Sequence, residues 1–182
     1  MSNETDDAAP ALTSAALRRL QDHPELTELA TQLLRTPNAL AVMTDADARC
    51  VANHMQLVSV AAGQVMIREG DSTNTGYLLL LLTGEARVES IDASYGGSTM
   101  DISVIGPGNI IGEMGLLDGA PRSTTCTAVS DVKAAGLSRG ALQLLIETHP
   151  QVGAHFMVAL AKRMADRLRA LGEQLGMYAQ MP

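Results

Sequence analysis

Ile110-Ile111-Gly112-Glu113-Met114-Gly115-Leu116-Leu117-Asp118-Gly119-Ala120-Pro121-Arg122-Ser123-Thr124-Thr125 is the stretch on which the reading of this chain turns. Gly112 lets the backbone approach a partner closely, and Glu113 to Leu117 suit a single helical turn. The free N–H groups at the start of such a turn favour an anion. Glu113 stands there as an acceptor. After the Gly-Ala-Pro turn, Arg122 and Ser123 return with a planar cationic fork and a hydroxyl. A cation, turn amides and a hydroxyl suit a phosphate, while a nearby carboxylate suits a sugar hydroxyl. A ribose cyclic phosphate carries both groups side by side. Taken singly, Arg122 is an ordinary loop arginine and Glu113 a first-turn carboxylate favoured by the helix dipole. Their order, with Gly112 and Pro121, outweighs those plainer readings.

Around this stretch the texture is that of short strands. Twelve of the sixteen glycines lie between Gly63 and Gly136. They punctuate apolar runs at Leu57–Val60, Val65–Ile67, Tyr77–Leu82, Ala86–Ile91, Met100–Ile105, Thr124–Val129 and Val132–Leu137. Such spacing indicates an antiparallel sandwich or barrel, with residues 87–105 forming a hairpin whose tip is mobile. Helical signals flank it. Thr13 or Ser14 is placed to cap a helix through Leu20, and Pro24 opens a second helix that Pro37 ends. Thr44 with Asp47 caps a third, running to about Met55. Behind the strands, Ser138 caps a helix that His149-Pro150 interrupts. Pro150 then begins a long one with Val152, Phe156, Leu160, Met164, Leu168, Leu171 and Leu175 at 3–4 spacing, running out at Gly176. The expected fold is mainly β with flanking helices (α+β). An N-terminal tail and helical appendage occupies residues 1–37 and the main domain 38–182. Within the latter, the barrel covers about 56–137 and the C-terminal helices 138–176.

Composition removes several function classes. Thirteen Lys and Arg against twenty Asp and Glu give a net charge of −7 at pH 7, the wrong sign for general nucleic-acid binding. One Phe, three Tyr and no Trp build no stacking platform for single strands. The longest strongly apolar run, Tyr77 to Leu82, is far below the ~20 residues of a membrane span. The acidic start Met1-Ser2-Asn3-Glu4-Thr5-Asp6-Asp7 is the reverse of a signal peptide. Cys50 and Cys126 match no metal or redox spacing, which suits reduced thiols in a cytoplasmic protein. None of His23, His54, His149 and His155 falls between Gln56 and Leu137, so a metal enzyme on barrel strands is not expected.

The stretch from Gly112 to Thr125 closely resembles the phosphate-binding cassette of cyclic-nucleotide-binding domains. The resemblance runs from about residue 40 to 176. It takes in Ala62-Gly63-Gln64-Val65-Met66-Ile67-Arg68-Glu69-Gly70-Asp71, Leu80-Leu81-Leu82-Thr83-Gly84-Glu85-Ala86-Arg87-Val88 and Gly106-Pro107-Gly108-Asn109 in the family's order. It implies that family's antiparallel β-barrel or jelly roll, with N-terminal helices and a long C-terminal helix. It also implies that Arg122 pairs with the phosphate and that Glu113 accepts the ribose 2′-hydroxyl; Arg122 is expected to be the only fixed cation facing that phosphate. Backbone amides around Gly112, Glu113, Met114 and Ser123 complete the cradle, with Ser123 bonding phosphate or base. Ser123-Thr124 is compatible with either purine. Ile102, Ser103, Ile111 and Val88 line the pocket. Ser103 has an equally good reading as the polar face of a half-exposed strand.

Two departures stand out. Where the enteric cAMP receptor protein sets neighbouring Thr and Ser against the adenine, this chain has Arg167-Leu168, leaving Arg167, Leu168 or Leu171 to cap the base. That protein also continues into a helix-turn-helix, whereas six residues follow Gly176 here, so no DNA binding is expected. The expectation is a stand-alone cyclic nucleotide receptor rather than an enzyme. cAMP is favoured over cGMP, no cofactor is needed and no membrane is involved. Binding rearranges the terminal helices and signals to an unidentified effector protein. The chain is expected to homodimerise along its last helix, unless the helices between Leu12 and Leu34 cover that stripe. The alternatives are a nucleotide-independent interaction module on the same fold and a cyclic dinucleotide sensor.

Overall fold

The Tyr77–Leu82 run is apolar without interruption because both of its faces are covered. It forms β4 (Tyr77–Thr83). Tyr77, Leu79 and Leu81 point into one cluster with Ile67, Val88 and Ala134, and Leu78, Leu80 and Leu82 into another with Leu34 and Phe156. Alternate residues of a strand face opposite ways, so one strand serves two cores. A one-residue slip would exchange them.

The computed structural model describes residues 18–92 and 98–178. Besides β4, the strands are β1 (Arg18–Arg19), β2 (Gln56–Val60), β3 (Val65–Ile67), β5 (Ala86–Asp92), β6 (Ser98–Ile105), β7 (Ile110–Ile111), β8 (Thr125–Ala128) and β9 (Val132–Ser138). They make a five-stranded sheet, β1-β2-β9-β4-β7, and a four-stranded sheet, β3-β8-β5-β6. All the pairs are antiparallel. The expected jelly roll is present as two facing sheets rather than a closed barrel. The inter-sheet cluster fills the gap between them, with Val58, Val60, Met66, Cys126 and Ala128 completing it.

The helices are α1 (Pro24–Leu34), α2 (Asp45–Asn53), α3 (Glu113–Asp118), α4 (Arg139–Thr148) and α5 (Pro150–Tyr178). Pro24 stands in the first turn of α1. The Thr44 side chain accepts from the Asp47 N–H at 3.2 Å, and Ser138 accepts from Ala141 at 3.2 Å. Both are the caps anticipated from sequence. Leu20, Ala30, Leu34, Val51, Leu145, Phe156 and Leu160 join the outer face of β4 and β9 in the second core. Residues 20–34 therefore share a core with the C-terminal helices.

Two expectations are corrected, and one short strand is unanticipated. Arg18 and Arg19 are not helical; they pair with Leu57 and Gln56 at the sheet edge. Leu20 then enters a short 3-10 turn, fully buried, its N–H donating to Met55 O at 3.0 Å. Edge pairing and one buried leucine outweigh the local helical spacing there. Ile110–Ile111 is a strand, paired with Leu80 and Leu79. Helix α5 continues through Gly176 to Tyr178. The helix start at Thr13 or Ser14 and the hairpin tip at 93–97 lie outside the described residues.

Candidate ligand pocket

The pocket is built around α3, which the chain enters through Gly112. This residue has φ +79, in the left-handed region where a side chain is strained. A Cβ there would stand 2.7 Å from Arg122 Nη1 and 3.1 Å from Tyr77 O. Only glycine lets the backbone pass this close to the arginine. Helix α3 follows at once, so the N–H groups of its first turn have no acceptor within the helix.

Arg122 is buried, at 5% exposure. Its Nε and Nη2 donate to Asn74 O at 3.1 and 2.7 Å, Nη2 also to Tyr77 O at 3.0 Å, and Nη1 to Gly112 O at 2.8 Å. The guanidinium lies 4.3 Å from the Tyr77 ring centroid. Among the described residues these bonds leave the second Nη1 hydrogen uncommitted. Arg122 makes no ion pair among the described residues. Burial raises the Tyr77 hydroxyl pKa, an effect that the Arg122 charge opposes.

Glu113, at 4% exposure, opens α3. Its Oε1 accepts from Arg167 Nη1 on α5 at 3.1 Å. One turn earlier on α5, Arg163 donates from Nη2 to Ile110 O at 3.1 Å and from Nη1 to Asn38 O. Its Nε is buried with no partner among the described residues. Burial pushes the Arg163 pKa down, and Arg167 adds to that while Glu113 opposes it.

These groups border one cavity of about 370 Å³, within the ~300–1,000 Å³ of small-molecule sites. Ile111, Gly112, Glu113, Met114, Arg122, Ser123, Thr124, Val88 and Ser103 all line it. Met114, Ser123 and Ser103 are exposed at its rim. The Ser123 hydroxyl lies 3.9 Å from Met114 Sδ. The Ile102 side chain falls outside the described ones.

Of the base-cap candidates, Arg167 lines the cavity. Leu168 and Leu171 do not, standing on α5 at 69% and 49% exposure. Contrary to expectation, Arg122 is not the only cation at the cavity: α5 brings Arg163 and Arg167 to the same wall, together with the Asp166 carboxylate. Their i, i+3, i+4 spacing puts them on one helix face. That pattern was open to view in the sequence; which wall the face meets was not. Pro37 and Asn38, after α1, also line the cavity, as does Cys126. Burial raises the Cys126 thiol pKa to about 11, so it stays protonated at neutral pH. Among the described residues no group of His, Cys, Asp and Glu is arranged to hold a metal. No helix there is long and apolar enough to cross a membrane. The pocket presents cations, the Glu113 and Asp166 carboxylates, turn amides and apolar walls, which together suit a small anion bearing hydroxyl and apolar parts.

Comparison with known proteins gives a consistent answer. The family model described as the cyclic nucleotide-binding domain matches residues 57–149. A cyclic nucleotide-binding domain from Methylobacillus flagellatus is similar with TM-score 0.72 and 27% identity, over 87% of this chain and 86% of that one. The regulatory domain of Toxoplasma gondii PKA, crystallised with cAMP, is similar with TM-score 0.57 and 28% identity, over 66% and 44%. The cAMP-dependent protein kinase regulatory subunit of Colletotrichum orbiculare is 31% identical over 146 residues, which are 76% of this chain and 36% of the subunit. The chain thus spans about a third of the length of that curated relative.

Proposed function

The chain belongs to the cyclic nucleotide-binding domain family, and from that premise we propose that the pocket is a working receptor site for a cyclic nucleotide whose occupancy is read through α5. One observation carries the reading. Arg122 and Arg163, both without a carboxylate partner among the described residues, border the same cavity as the buried Glu113. A buried guanidinium such as Arg122, with the half-buried Arg163 beside the same cavity, calls for an anion, and a cyclic phosphate supplies one. The free Nη1 hydrogen of Arg122 and the first amides of α3 serve the phosphate. Glu113 accepts the ribose 2′-hydroxyl. Val88 and Ile111 wall the sugar and base, with Ser123 and Thr124 at the rim.

The coupling runs through the Glu113–Arg167 pair. A ligand hydroxyl competes with Arg167 for the carboxylate, so occupancy changes what holds α5 in place. Such a ligand signals only if it favours one arrangement of the helix over the other. We favour cAMP, the nucleotide in the names of two of the relatives above, over cGMP. The exposed Leu168 and Leu171 suit an isologous contact between two copies of α5, leaving the remaining surface for an effector protein. Among the described residues no helix lies over these two leucines; α1 packs on α2 and β4 instead.

Calorimetric titration with cAMP and cGMP tests the site. Micromolar affinity, about −8 kcal/mol, supports it. Absence of both heat and thermal shift with either nucleotide overturns it in favour of the interaction module. Light scattering tests the dimer: a strict 19.1 kDa monomer, with and without nucleotide, rejects it.

A further inference from the structure

We infer that Arg139, the first residue of α4 and no part of the pocket lining, is a positioning residue. It suspends the far end of α3 from the C-terminal helices and thereby makes the pocket's affinity depend on them. The affinity part of this inference rests on the nucleotide reading above.

Helix α3 has six residues, well below the ~12–15 at which an isolated helix becomes even marginally stable. Its place is therefore set by what grips its ends. At the first end, Arg122 Nη1 donates to Gly112 O at 2.8 Å. At the other, Arg139 Nε donates to Leu116 O at 3.1 Å and Arg139 Nη2 to Gly115 O at 2.8 Å. Those carbonyls belong to the last turn, where a helix has acceptors to spare and favours a cation.

The backbone of Arg139 is itself fixed. Its N–H donates to Gly76 O at 2.7 Å, directly behind the Ser138 cap of α4. Gly119 completes the fit: at φ +72 it closes α3, and a Cβ there would stand 3.2 Å from Arg139 Nη2. Leu116, 2% exposed, packs in the same core as Leu142, Leu145 and Phe156. Packing and hydrogen bonds thus tie one end of α3 to α4 and α5, while Arg122 ties the other to the strands. A shift of α4 moves the carbonyls that Arg139 holds, and with them Glu113 and the amides offered to the ligand.

The test uses Arg139→Gln and Arg139→Lys in the full chain, with two readouts. Without nucleotide, amide exchange in residues 115–119 should quicken in Arg139→Gln while the β4 and β9 amides keep their protection. Arg139→Lys, which keeps the charge but not the fork, should lie between. With cAMP, Arg139→Gln should bind about tenfold more weakly, the equivalent of one net hydrogen bond. Moreover, Arg167→Ala should change affinity less in the Arg139→Gln background than in wild type. Unchanged exchange overturns the inference, whether or not nucleotide binds. Quickened exchange with strictly additive affinity effects overturns its coupling part. A wild-type chain that binds no cyclic nucleotide removes the proposed function instead, and the exchange readout still decides whether Arg139 holds α3.

Discussion

Arg167 and Glu113 lie 54 residues apart in the chain, yet Arg167 Nη1 and Glu113 Oε1 meet at 3.1 Å. The carboxylate side chain is 5% exposed and the guanidinium side chain 55%. One partner is therefore held by the protein and the other arrives from a helix open to water. Removing the open partner is the informative change.

Arg167→Ala should cost about 1 kcal/mol, since half-exposed pairs are worth little even though Glu113 is left without its cation. That is a fall of roughly 2–4 °C in melting temperature, shrinking as salt rises. Saturating cAMP should raise the melting temperature of the variant by more than that of wild type, because the ligand hydroxyl no longer shares the carboxylate. Equal shifts in the two proteins would detach the pair from the ligand.

Arg122→Ala should lose nucleotide binding and stability together. The carbonyls of Asn74, Tyr77 and Gly112 all lose a donor. About 3 kcal/mol is expected, or roughly 6–12 °C in melting temperature. Arg122→Lys should recover little, because a point charge cannot reach all three oxygens. Full stability in Arg122→Ala would show that those bonds contribute nothing net.

Gly112→Ala and Gly63→Ala separate strain from contact. Both residues have positive φ, +79 and +82, but a Cβ at Gly63 meets nothing within 4 Å. Gly63→Ala should therefore cost only the backbone term, about 1–2 kcal/mol. Gly112→Ala should cost visibly more and weaken nucleotide binding, since Arg122 must move. Equal costs by chemical denaturation would contradict the close approach.

Asp47 gives the pH dependence. Burial alone would raise its pKa, but hydrogen bonds from Thr44 and His155 outweigh it and hold the carboxyl below its ordinary value. A depressed folded pKa contributes stability above the unfolded value of about 3.9, and that contribution is lost as pH falls through the folded one. The stability gap between wild type and Asp47→Asn should be full at pH 6 and close in acid. A gap that persisted unchanged below pH 3 would rule out this carboxylate as its source.

What the sequence could and could not show follows from where the constraints lie. The runs at Tyr77–Leu82 and Val132–Leu137 were legible because period and burial are local properties. The Gly112–Thr125 stretch was legible because its backbone geometry demands glycine and its chemistry demands Glu113 and Arg122 in fixed order. Ile110–Ile111 was absorbed into that stretch, since two residues carry no periodicity. Arg18-Arg19 looked helical because nothing local announces an edge pairing with Leu57 and Gln56. Arg163 and Arg139 escaped for another reason. Their roles depend on the carbonyls of Asn38, Ile110, Gly115 and Leu116, and side-chain identity says nothing about where a distant backbone oxygen will lie.

The central claim is that the cavity between α3 and α5 receives a cyclic nucleotide. Titrating isotope-labelled protein with cAMP and following its backbone amides tests this most directly. The account predicts saturable shifts centred on Gly112, Glu113, Met114 and Ser123, extending along α5 through Arg163 and Arg167. Amides that stay still there, or that move only elsewhere on the molecule, would contradict it.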